Sequence, residues 1–218
     1  MNKPSRQALI ASAIVYGATA TVAHPADPDG TGFYVGAGGG ASVVKIDDSG
    51  INDSLRSLGF TSATTSKDES GTAYKVFAGY AINRYVAIEG GYFDLGKFGF
   101  KSLVLPPGSL SVDVKVRGVN LDAVLSYPFA EGFSVFGRVG LQSAETKGRL
   151  AGSGSVLALQ PETKETKTGW KAGLGIGYEF SNGLGLRGEW ERYNVADGTK
   201  TDTKADVDVF GISLFYRF

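Results

Sequence analysis

The sequence predicts an all-β fold, an eight-stranded antiparallel up-and-down transmembrane β-barrel with meander topology. Three observations carry that expectation. Apolar and polar residues alternate with period two through eight segments. The connections between those segments are short and long by turns. Glycine supplies 32 of 218 residues, about twice its ordinary share of roughly 7%, and it gathers on one face of the segments.

Composition removes several function classes first. Lys+Arg and Asp+Glu both number 22, so the net charge is zero and no nucleic-acid footprint is expected. The absence of cysteine excludes disulfides, thiol catalysis, thiolate metal sites and a lipidated N-terminal cysteine. The one histidine is His24, which leaves no Ser–His, His–metal or histidine general-base constellation elsewhere. Asp27-Pro28-Asp29-Gly30 has spaced carboxylates but lacks the Asp/Asn series and closing Glu of a calcium loop. No cofactor, metal or catalytic residue is expected, and the chain is read as a non-enzyme.

The first residues read as an export signal. Lys3 and Arg6 precede an uncharged, mostly apolar run, Ala8–Ala20, which ends in Ala18-Thr19-Ala20 and Thr21-Val22-Ala23. A basic start, a short apolar run and small residues at the cleavage spacing are the marks of a secretory signal peptide. The run is shorter than the ~20 residues a spanning helix needs. Residues 1–23 are therefore assigned to a cleaved signal, 24–31 to a short mature N-terminal segment and 32–218 to the barrel.

The strands follow in order. In Gly32–Val44, Phe33, Val35, Ala37, Ala41 and Val43 oppose Gly36, Gly38, Gly40 and Ser42. In Gly71–Ala81, Tyr74, Val76, Ala78 and Tyr80 oppose Lys75, Phe77 and Gly79. Tyr85–Gly96 sets Val86, Ile88 and Tyr92 against Glu89 and Gly91. Val112–Ser126 changes phase, from Val112, Val114 and Val116 to Val119, Leu121, Ala123 and Leu125. That slip near Arg117-Gly118 suggests a bulge or a strand end that has already left the lipid.

Phe133–Ala144 sets Phe133, Val135, Val139 and Leu141 against Ser134, Arg138, Gly140 and Gln142. In Trp170–Phe180 every even residue is apolar or aromatic, and every odd one is glycine, Lys171 or Glu179. Leu184–Asn194 places Leu184, Leu186 and Trp190 opposite Arg187, Glu189 and Glu191. The last strand ends the chain with Phe210, Ile212, Leu214, Tyr216 and Phe218 on one face.

The connections Ile82–Arg84, Tyr127–Gly132 and Ser181–Gly183 are short, and Asn182-Gly183 is a tight-turn dipeptide. Lys45–Ser70, Lys97–Ser111, Glu145–Lys167 and Val195–Asp206 are long and polar. A short helix is expected over Ile51–Phe60 and a turn at Pro106-Pro107-Gly108. Long loops segregated to one end belong to a membrane barrel with short periplasmic turns and external loops. A soluble, lipocalin-like barrel would instead bury the apolar face. Here the polar face is mostly glycine with isolated charges, too sparse for a solvated surface. The apolar face carries aromatics near both segment ends, as an outward face in lipid does. A sheet in hydrocarbon must also close on itself.

Phe33-Tyr34-Val35-Gly36-Ala37, then Lys75-Val76-Phe77-Ala78-Gly79-Tyr80 joined to Val86-Ala87-Ile88-Glu89-Gly90-Gly91-Tyr92, and the C-terminal series ending in Phe218 together resemble the OmpA/OmpX-type small outer-membrane barrels. The resemblance implies a monomer in the outer membrane of a Gram-negative bacterium. It implies as partners the surrounding lipid and lipopolysaccharide, periplasmic chaperones and the barrel-assembly machinery. The series Phe210, Ile212, Leu214, Tyr216, Phe218 looks like that machinery's recognition signal. No peptidoglycan-binding segment is expected after the last strand, so cell-wall anchoring is not carried over.

Strand parity places nine charges on the inward face: Lys75, Arg138, Lys171, Arg187 and Arg217 against Glu89, Asp122, Glu179 and Glu189. The interior of an eight-stranded barrel is just wide enough to be filled by side chains. These charges are expected to pair as a polar plug, for example Glu89 with Arg138, giving a structural or surface-interaction protein with an unnamed surface ligand. The alternative is a small ion or solute pore gated by exchange among the same pairs.

Overall fold

The computed structural model describes residues 30–44, 61–68, 70–105, 108–154, 162–196 and 204–218. The expected signal segment, the Ile51–Phe60 helix and Pro106-Pro107 lie outside the described residues. Nine strands run β1 (Gly32–Val44), β2 (Thr61–Asp68), β3 (Ser70–Ala81), β4 (Val86–Leu105), β5 (Gly108–Ala130), β6 (Phe133–Gly154), β7 (Glu162–Glu179), β8 (Leu184–Ala196) and β9 (Lys204–Arg217). β3 pairs with the first half of β4 and β2 with the second, so these two strands form one interrupted stave. Each stave then pairs antiparallel with the next in sequence, and β9 pairs with β1. The result is a closed eight-stave up-and-down barrel.

Closure leaves no open backbone edge for hydrocarbon to desolvate. Its last bond is the Phe218 N–H donating to the Phe33 carbonyl at 2.9 Å. Two of the three short turns are held by asparagine side chains: Asn83 Oδ1 accepts from the Tyr85 and Val86 amides, and Asn182 Oδ1 from Leu184. The outward face is apolar along every stave, with Leu121, Val139, Leu174 and Ile212 between 58% and 63% exposed. Aromatic rings pair in contact near the short-turn end, Phe33 with Tyr80, Phe133 with Tyr178 and Tyr216 with Phe218, at centroid distances of 4.5–5.2 Å. Tyr74, Tyr92, Trp170 and Phe210 mark the other boundary of the apolar band.

The structure departs from the sequence reading in two places. The connections expected as long loops are in large part strand, since β4, β5, β6 and β7 keep pairing well beyond the aromatic boundary. Of the two readings of the phase slip in β5, the strand end beyond the lipid holds and the bulge does not. Val116, Asp122 and Val124 all face inward while Val119, Leu121 and Leu125 face outward, so the strand keeps its parity and the apolar residues change sides. The bulge lies in β4, where Asp94 pairs with Arg117 but Lys97 pairs with Lys115. There Gly96 takes φ +89°, and a Cβ on it would crowd the Thr72 carbonyl. In β1, Tyr34 and Ser42 are both buried inside.

Candidate functional site in the barrel interior

Parity fixes which side chains enter the lumen, and glycines on the same face leave them room. A Cβ on Gly140 would collide with Asp122 Oδ1 and the Leu121 carbonyl, and one on Gly79 with the Tyr34 ring. Into that space the staves send a continuous charge network. Arg138 is its hub. Its guanidinium meets Glu89 at 2.7 Å, Glu189 at 2.9 Å, Glu191 at 3.1 Å and Asp122 at 3.4 Å. Lys171 reaches Asp122 at 2.9 Å and Glu191 at 3.0 Å, and Lys75 reaches Glu189 at 2.8 Å and Glu191 at 3.0 Å.

Arg187 completes the lower side. It donates to Glu89 Oε2 at 2.8 Å and lies over the Phe215 ring at 4.4 Å, with Tyr34, Phe77 and Phe136 around it. Aromatic faces attract a cation there without adding an anion. Tyr34 donates its hydroxyl to Glu89, Ser213 to Glu189 and Tyr193 to Glu191. Arg217 and Glu179 form a separate two-pronged pair at the short-turn end, at 2.8 and 2.9 Å. Arg138 Nη2 and Glu189 Oε2 approach closely without hydrogen-bond geometry, so that contact is ionic alone.

Seven of the nine expected charges meet in this network, and Arg217 with Glu179 forms a pair at the mouth of the short-turn end. Glu191, which parity had set beside Arg187 and Glu189 without a place among the nine, joins the network, as do Tyr34, Ser213 and Tyr193. Glu191 changes the arithmetic, because five basic groups now meet five acidic ones. The imbalance of the nine was itself the signal that a carboxylate was missing. Buried charges are tolerable only when paired and hydrogen-bonded, and a neutral set meets that condition.

Beyond the network, towards the strand extensions, the interior turns apolar. Val44, Ala73, Phe93, Leu95, Phe98, Val116, Ala144, Tyr193, Val207 and Val209 pack as one buried cluster. At the opposite end the lumen opens into a cleft of about 220 Å³ near Arg84, Ser134, Glu179 and Arg217. Among the described residues no group of His, Cys, Asp and Glu is arranged to hold a metal.

The outer wall of the extensions carries its own charges. Glu145 faces Arg117 and Lys164, both at 2.8 Å. Their hydrogen bonds hold its carboxyl down to about 2. Lys115 reaches Asp94 at 2.9 Å, and that hydrogen bond raises the ammonium above the ordinary lysine value. The outward series Phe210, Ile212, Leu214, Tyr216 and Phe218 lines the lipid-facing side of β9, with Tyr216 half-buried.

The comparisons agree with this architecture. Outer membrane protein A of Serratia marcescens is 29% identical over 98% of this chain. Outer membrane protein A of Salmonella typhi is 30% identical over the same share. The chain spans about half the length of these curated relatives, 56% and 55%. Among solved structures, that of Neisserial surface protein A superposes with a TM-score of 0.51 over 85% of this chain and 97% of that one, at 14% identity, which speaks for the fold. The outer membrane protein beta-barrel domain matches residues 11–218. This chain belongs to that family and is an integral protein of the Gram-negative outer membrane.

Proposed function

We propose that the barrel is a closed structural element of the outer membrane, a monomer whose lumen is plugged by its own side chains and whose extensions present a surface for interaction. The observation that carries this reading is the neutral charge network lying directly beneath an apolar cluster. An ion entering from the extension side would first cross packed Phe93, Leu95 and Phe98, whose side chains offer nothing to replace its hydration. Lipid and lipopolysaccharide are the partners the outward face meets. The relatives carry the name of an outer membrane protein, and the reading gives this chain no reaction.

Single-channel current and urea midpoint, recorded on the parent and on Arg138→Ala, test it. Removing Arg138 leaves four carboxylates short of a cation, typically costing about 3–5 kcal/mol. The plug predicts no steady current from the parent and a variant that is only less stable. A steady parental current, altered in the variant with little loss of stability, would establish the alternative, a pore gated by exchange among these pairs.

The same reading assigns Phe210, Ile212, Leu214, Tyr216 and Phe218 to recognition by the assembly machinery, after escort by periplasmic chaperones. Removing Phe218 is expected to lower outer-membrane levels in cells while refolding into detergent stays near normal. Normal levels of the truncated chain would count against that role.

A further inference from the structure

Four lysines stand in one row across four adjacent staves. Lys97 is the register partner of Lys115, Lys115 of Lys147, and Lys147 of Lys164. Strand parity puts Lys115 on the side of Val119 and Leu121, Lys147 on the side of Leu141, and Lys164 on the side of Trp170, all lipid-facing. Lys97 joins them because the β4 bulge shifts its parity; Phe98, next along, is buried inside. Directly opposed like charges destabilise a sheet, and here the opposition occurs three times in succession.

The protein's own carboxylates do not balance the row. Asp94 serves Lys115 at 2.9 Å. Glu145 is divided among Arg117, Lys147 and Lys164, at 2.8, 3.5 and 2.8 Å. Lys97 has no carboxylate partner among the described residues. The four lysines also line one cleft of about 360 Å³, together with Asp113 and Arg149.

Height selects the occupant. Lys115 lies four residues beyond Val119, the partner of Tyr92 in the aromatic boundary. Four residues are about 13 Å along the strand, or about 10 Å along the membrane normal at a tilt of ~40°. The row thus stands just above the hydrocarbon and points sideways, at the headgroups of neighbouring lipids rather than at the strand tips. Lysine offers a compact charge and three rotatable donors, which suits phosphate oxygens.

We propose that the ladder of Lys97, Lys115, Lys147 and Lys164 binds phosphate groups of an outer-leaflet glycolipid, which supply the anionic charge the sheet lacks. The proposal deepens the partner reading above by giving it a site.

The test compares the parent with the K97Q/K147Q/K164Q variant, refolded in detergent and titrated with lipopolysaccharide, with the same lipopolysaccharide dephosphorylated, and with inorganic pyrophosphate. Lys115 is kept because it neutralises buried Asp94. The variant should bind phosphorylated lipopolysaccharide about tenfold more weakly than the parent, as three exposed ion pairs imply. The dephosphorylated lipid should bind parent and variant alike, and the matching Lys→Arg triple variant should keep parental affinity. Equal binding of the phosphorylated lipid by parent and glutamine variant would overturn the proposal. Pyrophosphate binding the parent as tightly as the glycolipid would assign the cleft to a soluble anion and overturn the lipid. Should the triple variant not fold, K97Q alone decides by the same comparison. Heat-modifiable gel migration of the parent is read in parallel: its loss would sink the barrel itself, whereas its persistence beside equal binding sinks only the site.

Discussion

Each residue of the lumen is placed by strand parity, and each lipid-facing residue by the same rule read on the other side. Leu174 lies outward midway along the lipid-spanning part of β7, while Gly175, one step on, faces the Phe136 ring inside. Leu174→Arg should therefore cost about 2–4 kcal/mol in lipid vesicles, the penalty for a cation at the bilayer midplane. Gly175→Ala should instead disturb packing inside, with no dependence on bilayer depth. A Leu174→Arg variant with the parental urea midpoint would show that inside and outside had been exchanged. Parity was legible for Lys75, Glu89, Arg138 and Lys171. Tyr34 was not, because next to Phe33 it reads as one more apolar residue, and only its bond to Glu89 shows its inward task.

At the scale of elements, the lipid-spanning parts of the strands were legible and their extensions were not. In lipid the apolar side of a strand faces out. Above it, water bathes the outer wall and the apolar side turns in, as Val116 and Phe98 do. The sequence of β5 records that exchange as a change of phase, which imitates a bulge. The true bulge in β4 is marked only by Gly96 within a glycine-rich chain. The extensions also carry a titratable clasp.

Glu145 is held near 2 in the folded protein by Lys164 and Arg117, against about 4.3 for a free glutamate. A carboxyl lowered by folding favours the folded state fully above its unfolded value. That contribution fades as pH falls from about 5 towards 2. An NMR titration should find Glu145 still ionised at pH 3, and Glu145→Gln should remove that part of the acid dependence. A folded Glu145 that titrates near 4.3 would show the clasp to be open in solution.

For the whole molecule, closure and filling are one design. Eight staves give a lumen that side chains can fill, and the filling combines a neutral set of charges with an apolar cluster over it. The architecture and the compartment were legible from alternation and turn spacing, read together with the basic-then-apolar start of the chain. The filling of the lumen was legible only in part: parity set Glu191 beside Arg187 and Glu189, whereas the aromatic rings gathered around Arg187 meet only in three dimensions. The absence of native cysteine allows a direct measurement of whether the lumen is closed. Ser213 is buried in the network at 2% exposure, whereas Ser134 borders the open cleft at the short-turn end. Ser213→Cys and Ser134→Cys, each reconstituted in vesicles, would be exposed to a charged thiol reagent. A closed plug predicts rapid labelling at position 134 and protection at position 213 for as long as the barrel stays folded. Labelling of both positions at comparable rates in the folded barrel would contradict it.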